Sequence, residues 1–98
     1  MVKHIVFFRF GDINDKKNFL AEFKSRIEGL KEQIPTIHHI EAGLNFSPRE
    51  VAFDIALVSE FQSREDLKVY QTHPKHLELI DFLNQHEREL AVVDYELE

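Results

Sequence analysis

The spacing of hydrophobic positions changes along the first third of this chain. Residues 2–10 are rich in Val, Ile and Phe and end at Gly11, which predicts a first strand. Apolar residues then recur every three or four positions, which predicts an amphipathic helix over about 15–33. Its apolar positions are Phe19, Phe23, Ile27, Leu30 and Ile34. Pro35 is expected to end this helix.

The rest of the chain contains three further strand patterns and one broken helix pattern. Residues 37–44 and 51–61 are predicted to be the second and third strands, and 91–97 the last. Between them, a capping box at Ser63 predicts the start of a second helix. That helix should break at His73-Pro74 and resume through Leu77, Ile80, Leu83 and Leu90.

This order of elements, β-α-β-β-α-β, is that of the split βαβ of ferredoxin-like folds. It predicts an α+β protein with a four-stranded antiparallel sheet and both helices on one face. The length of 98 residues suits a single domain over 1–98.

Both faces of the predicted sheet carry apolar side chains. In the first strand, one face has Val2, His4, Val6, Phe8 and Phe10, and the other has Lys3, Ile5, Phe7 and Arg9. In the third strand, Phe53, Ile55, Leu57 and Phe61 oppose Ala52, Asp54, Ala56 and Val58. An open sheet face should be polar. We therefore expect a homodimer through the sheet face, with Asp94 and Tyr95 at the interface; a mixed face left exposed to solvent is the alternative.

Composition excludes several classes of protein. The chain has no cysteine, which excludes disulfides and thiolate metal sites and fits a reducing, cytoplasmic location. The net charge of −6 argues against a nucleic-acid partner. No apolar run approaches the roughly 18 residues of a membrane span, and the N-terminus lacks a signal-peptide pattern.

The segment from Tyr70 to His76 is the strongest candidate for chemistry. Pro74 suits a first helical position, so His76 should lie in the first turn of a new helix. An unperturbed imidazole has a pKa of about 6.5, close to physiological pH. The positive end of the helix dipole should favour its neutral, proton-accepting form. The alternative is that His73 and His76 only cap and pack around the proline.

Other polar residues are weaker candidates. His4 shares a strand face with apolar residues and could be either a core histidine or part of a cavity wall. Asp54, a carboxylate in an apolar strand, needs a hydrogen-bond partner or water. His38 and His39 are adjacent in a strand and should point to opposite faces, and no zinc spacing is present. We expect no metal and no cofactor.

Several segments together resemble the stress-responsive A/B barrel family, called Dabb. The most specific are the opening Lys3-His4 and the step His73-Pro74-Lys75-His76 with Tyr70 before it. Further matching segments are Val2-Lys3-His4-Ile5-Val6, Ile34-Pro35-Thr36-Ile37, Gly43-Leu44-Asn45, Phe53-Asp54, Leu57-Val58, Phe61-Gln62-Ser63 and Val93-Asp94-Tyr95.

The resemblance implies a dimeric ferredoxin-like α+β barrel with a cavity between the sheet and the helices of each protomer. Some plant members are polyketide cyclases that use a His of the His-Pro-x-His motif as base, with a nearby Tyr. By motif position these are His76 and Tyr70, with His4 as a pocket residue. Asp54 is a departure that cyclase-like relatives need not share. His4, Asp54 and His73 are the binding candidates.

Three kinds of function remain open at this point. The chain could be a dimeric small-molecule-binding or stress-response module without chemistry. It could be a cofactor-free, cyclase-like enzyme acting on a small, apolar, oxygen-bearing molecule. It could also be a monooxygenase of the ferredoxin-like dimer kind. A closed interior filled by Phe favours the module, whereas an open cavity where His76, Tyr70 and His4 converge favours an enzyme.

Overall fold

The computed structural model describes residues 1–97. Its elements are β1 (Val2–Phe10), α1 (Lys16–Gln33), β2 (His39–Leu44), β3 (Ile55–Phe61), α2 (Arg64–Thr72), α3 (Pro74–Leu83) and β4 (Arg88–Glu96). The strands form one sheet in the order β2-β3-β1-β4, and each neighbouring pair is antiparallel. The four-stranded antiparallel sheet of the predicted ferredoxin-like fold is confirmed.

The predicted break in the second helix is confirmed and divides it into α2 and α3. The Ser63 hydroxyl accepts a hydrogen bond from the Asp66 N–H at 3.1 Å and so begins α2. His73 is extended (φ −66°, ψ 138°), as expected of a residue before proline. Its Nδ1 accepts a hydrogen bond from the Lys75 N–H at 3.0 Å, which caps α3. The sheet is therefore covered by three helices rather than two.

The third strand begins later than predicted. Residues 51–54 lie outside β3, which starts at Ile55. The Asp54 carboxylate accepts the Phe10 N–H at 2.7 Å, so a side chain replaces the backbone carbonyl that a continued strand would offer. The alternation predicted for this strand therefore fails at Phe53, whose ring packs against Phe7 at a centroid distance of 6.0 Å. The second strand likewise starts at His39 instead of residue 37.

The last strand begins earlier than predicted, and Leu90 belongs to it. Leu90 pairs with Phe8 in the sheet, so its assignment to the second helix was wrong. α3 ends at Leu83, and the Arg88 Nη1 donates to the Leu83 carbonyl at 2.9 Å and to the His86 carbonyl in the following turn at 3.3 Å. β4 then starts at Arg88.

The sheet has a helix face and an open face. The helix face carries the buried even-numbered residues of β1, which pack with Phe23, Ile27 and Leu30 of α1 in the core. The open face carries the odd-numbered residues of β1. Cross-strand pairing with Lys3 and Ile5 puts Tyr95 and Val93 on it. The apolar content predicted for both sheet faces is thus present.

None of the helices within residues 1–97 is long and apolar enough to cross a membrane.

Candidate functional site

His76 lies in the first turn of α3 with one ring nitrogen fixed. Its Nδ1 lies 3.0 Å from the backbone carbonyl oxygen of Gln71, near the end of α2. A carbonyl only accepts hydrogen bonds, so Nδ1 must carry the proton and Nε2 must keep its lone pair in the neutral ring. Burial lowers the pKa of His76, while the Gln71 hydrogen bond acts in the opposite direction and His4 adds a smaller lowering. The proton acceptor of this side chain at neutral pH is therefore Nε2.

Tyr70 is the buried aromatic centre of the site. The side chain lies between His4, Phe61 and His76, with ring-centroid distances of 6.2, 5.0 and 4.5 Å respectively. Burial raises the pKa of Tyr70, so its hydroxyl stays protonated and can donate a hydrogen bond. Among residues 1–97 nothing hydrogen-bonds to that hydroxyl, so it is free to bind a ligand.

His4 is held by Asp94 on the neighbouring strand. The two residues are direct partners in the β1–β4 register, and the His4 Nδ1 and Asp94 Oδ1 atoms form a hydrogen bond. Asp94 was expected at the dimer interface together with Tyr95, but its side chain lies on the helix face, opposite the open face that carries Tyr95. Alternation alone could have shown this, since Asp94 lies between Val93 and Tyr95, which point to the open face.

A cavity of about 170 Å³ joins these side chains between the helix face of the sheet and the helices. Its polar lining residues are His4, Tyr70, Gln71 and His76, and its remaining lining residues are apolar. Leu90 and Val92 of β4 also line it, yet they are 50% and 52% exposed. The cavity therefore opens at the β4 edge of the sheet.

The other two predicted binding residues lie outside this cavity. At the far end of β1, the Asp54 carboxylate accepts a hydrogen bond from the Phe10 N–H and lies 3.2 Å from the Lys16 ammonium. The His73 side chain caps α3. Both therefore have structural partners. Within residues 1–97, no three His, Asp or Glu side chains cluster as a metal ion would require.

The arrangement combines a proton acceptor, a proton donor and an apolar enclosure. His76 Nε2 can accept a proton, and the Tyr70 hydroxyl can stabilise a developing negative charge on oxygen. The apolar walls exclude water and so strengthen both interactions. Together these groups can take a proton from a small apolar molecule and stabilise the anion that forms.

Comparison with known proteins yields a family and a set of dimeric relatives. A family model described as the Stress responsive A/B Barrel Domain, Dabb, matches residues 2–97. An uncharacterised protein of Streptomyces coelicolor is 32% identical over 78 residues, which cover 78% of this chain and 79% of that protein. A dimeric ferredoxin-like protein of unknown function from Bacteroides fragilis is 40% identical, with a TM-score of 0.88 and coverage of 98% of this chain and 95% of its own.

A plant enzyme has the same fold at lower identity. The hydroxynitrile lyase of Passiflora edulis is 24% identical to this chain, with a TM-score of 0.79 and coverage of 99% of this chain and 93% of its own. At that identity the likeness shows the fold alone. Further ferredoxin-like neighbours, from Thermobifida fusca and Jannaschia, are also dimeric.

Proposed function

The chain belongs to the stress-responsive A/B barrel family, Dabb, and on that premise we propose that it is a cofactor-free proton-transfer enzyme. Its substrate is a small apolar molecule with a carbonyl group, bound in the cavity between the sheet and the helices. The observation that carries this proposal is the convergence of His4, Tyr70 and His76 on one cavity.

The proposed reaction assigns a role to each polar group. His76 Nε2 removes a proton from the carbon next to the substrate carbonyl, and the electron pair of that C–H bond moves to the carbonyl oxygen. The Tyr70 hydroxyl donates a hydrogen bond to the resulting enolate oxygen. The imidazolium then returns its proton to carbon, or the enolate carbon attacks a second carbonyl and the imidazolium gives its proton to the alkoxide oxygen that forms there. His4, oriented by Asp94, lines the cavity as a third polar group.

Hydrogen–deuterium exchange at carbon tests this assignment without knowledge of the natural substrate. Ethyl 3-oxohexanoate carries acidic protons between two carbonyls, and NMR follows their exchange in D₂O. The wild type should accelerate exchange, and His76→Ala should lose about 10²–10⁴ of that acceleration, the usual contribution of a general base. His39→Ala is the matched control, because His39 is an exposed histidine on β2. Equal rates for wild type and His76→Ala would contradict the base assignment.

A binding module without chemistry is the second candidate. The predominantly apolar lining of the cavity supports it, because such walls bind apolar molecules whether or not a reaction follows. It predicts ligand-induced thermal stabilisation by components of a metabolite extract, with no exchange in any probe. Oxygen uptake with a quinol probe would instead support the monooxygenase alternative.

We further propose that this chain forms a homodimer through the open face. Phe7, Val93 and Tyr95 are 43%, 59% and 42% exposed there, and the relatives described above are dimeric. A charge placed in such an interface loses hydration, so Val93→Asp should weaken the dimer by about tenfold or more. Light scattering over a concentration series measures this. Val69→Asp, at a 47% exposed valine of α2, is the control; a monomeric wild type would contradict the proposal.

The cytoplasmic location and a role in the stress response stay predictions. The family description and the lack of cysteine support them. Cell fractionation and a measurement of protein abundance under stress test them.

A further inference from the structure

A second concavity lies beside the cavity, between α2 and β4. This groove of about 370 Å³ is lined on the helix side by Arg64, Lys68 and Gln71, which are spaced to share one face of α2. Asp94 and Glu96 line it on the strand side. The groove thus lies along the edge of the sheet at which the cavity opens.

Two contacts connect the groove to the cavity. Gln71 lines both spaces, so this residue stands at their boundary. Asp94 lines the groove while its carboxylate bonds His4, which lines the cavity. A molecule seated in the cavity and extending out through its opening would therefore enter the groove.

Of the two cations that line the groove, one is held by a carboxylate of the described residues and the other is not. Arg64 donates from Nε to the Glu96 carboxylate at 2.8 Å, and Asp94 holds His4. The Lys68 ammonium forms no ion pair with any residue between 1 and 97. Lys68 is therefore the cation of this groove that no carboxylate within residues 1–97 holds and that is left to attract a ligand anion.

We propose that the groove is an anion subsite of the cavity and that Lys68 is its principal contact. This inference rests on the proposed function and narrows its substrate to an apolar molecule that ends in an anionic group, a carboxylate or a phosphate. The apolar end lies against the inner wall formed by Phe8 and Leu83. The anion lies outside the cavity, where it remains hydrated on one side and loses little solvation.

The test compares three probes with the same tail and different ends: hexanoate, hexyl phosphate and hexanamide. NMR titrations of the ¹⁵N-labelled protein measure their affinities and show which residues they contact. At low salt, both anions should bind about three- to tenfold more tightly than hexanamide, the range expected for one partly exposed charge-assisted contact. The advantage should shrink as salt screens the charges. The ratio of the affinities for hexanoate and hexyl phosphate shows whether the subsite prefers a carboxylate or a phosphate.

Two lysine variants show whether the tighter binding of the anionic probes depends on the groove. Lys68→Gln should abolish the advantage of the anions and leave hexanamide binding unchanged. Lys17→Gln removes an exposed lysine of α1 and should change none of the affinities. Equal losses in the two variants would show a general charge effect and overturn the subsite.

The binding results distinguish failure of the anion subsite from failure of the proposed function. Equal binding of all three probes, with shifts at Leu83, Leu90 and His76, would overturn the anion subsite and leave the proposed function intact. Binding of none of them up to about 10 mM, the weak end of specific affinity, would overturn both.

Discussion

The space between the sheet and the helices has two halves that share one face of β1 and are filled differently. In the aromatic half, five rings pack together: Phe8, Phe10, Phe19, Phe23 and Phe82. Their contacts include edge-to-face pairs at 5.0 Å and a stacked Phe19–Phe82 pair at 5.4 Å. In the cavity half, His4, Tyr70 and His76 surround unfilled space. Phe8 and Phe23 also form the wall of the cavity, so the two halves meet at these rings.

The two halves give one small core both a stable fold and a reactive site. In the cavity half, each histidine has a protein partner at Nδ1: Gln71 for His76 and Asp94 for His4. Those partners fix the rings, and the other nitrogen of each remains available to a ligand. The aromatic half supplies the rigid wall and much of the buried apolar surface. Substitutions in the two halves should therefore have separable effects on stability and on ligand chemistry.

The largest effect on stability should come from the aromatic half. Phe10 is 4% exposed and contacts three other rings. Phe10→Ala leaves a cavity and should lower the free energy of unfolding by about 3–5 kcal/mol. Urea denaturation measures this. Phe46→Ala is the matched control, because Phe46 is 99% exposed; similar losses in both variants would contradict the description of the aromatic half.

A smaller effect should come from removing one hydroxyl in the cavity half. Tyr70→Phe keeps the buried ring and deletes a group with no hydrogen-bond partner among residues 1–97. Its free energy of unfolding should change by less than about 1 kcal/mol. Carbon-proton exchange should slow about tenfold, less than in His76→Ala, because one hydrogen bond to the enolate oxygen is lost. A stability loss like that of Phe10→Ala, with unchanged exchange, would show that Tyr70 only packs.

The smallest effect should be a pH dependence of stability from His76. Burial lowers its pKa in the folded state, so the unfolded chain binds more protons as the pH falls through about 6.5. Protonation of His76 in the unfolded chain therefore lowers the free energy of unfolding progressively as the pH falls to the pKa of the folded state. Below that pH it lowers the free energy of unfolding no further. Urea denaturation at about pH 7.5 and about pH 5.5 should show a smaller loss for His76→Gln than for wild type. His39→Gln should behave like wild type, and an identical pH response in all three proteins would contradict the lowered pKa.

The sequence was most informative where local chemistry dictates conformation. Pro74 cannot continue a helix, so the break before it and the placement of His76 in the next first turn followed from covalent structure. The alternation of β1 likewise put His4 on the buried face. Sequence reasoning missed the partners of these side chains, because Asp94 meets His4 only through the pairing of β1 with β4, which are far apart in the chain.

The errors in the predicted ends of strands and helices also result from tertiary contacts. Val51 to Asp54 have strand-like composition, but regular pairing with β1 stops at Ile55, and the Asp54 side chain accepts the Phe10 N–H in place of a backbone carbonyl. Leu90 fits a helical period, but α3 ends at Leu83, where the Arg88 guanidinium bonds the last helical carbonyl, and Leu90 pairs with Phe8 in the sheet. Neither contact can be deduced from residue spacing.

The protonation state of the His76 ring decides whether Nε2 can act as the base in the cavity. Long-range ¹H–¹⁵N correlation spectra of the ¹⁵N-labelled protein distinguish the two ring nitrogens and follow both with pH and added ligand. We expect a neutral ring at pH 7 with the proton on Nδ1, a pKa below the ordinary value of about 6.5, and a shift of the Nε2 signal when hexanamide binds. A proton on Nε2, a charged ring at pH 7, or an Nε2 signal unchanged by the bound ligand would contradict it.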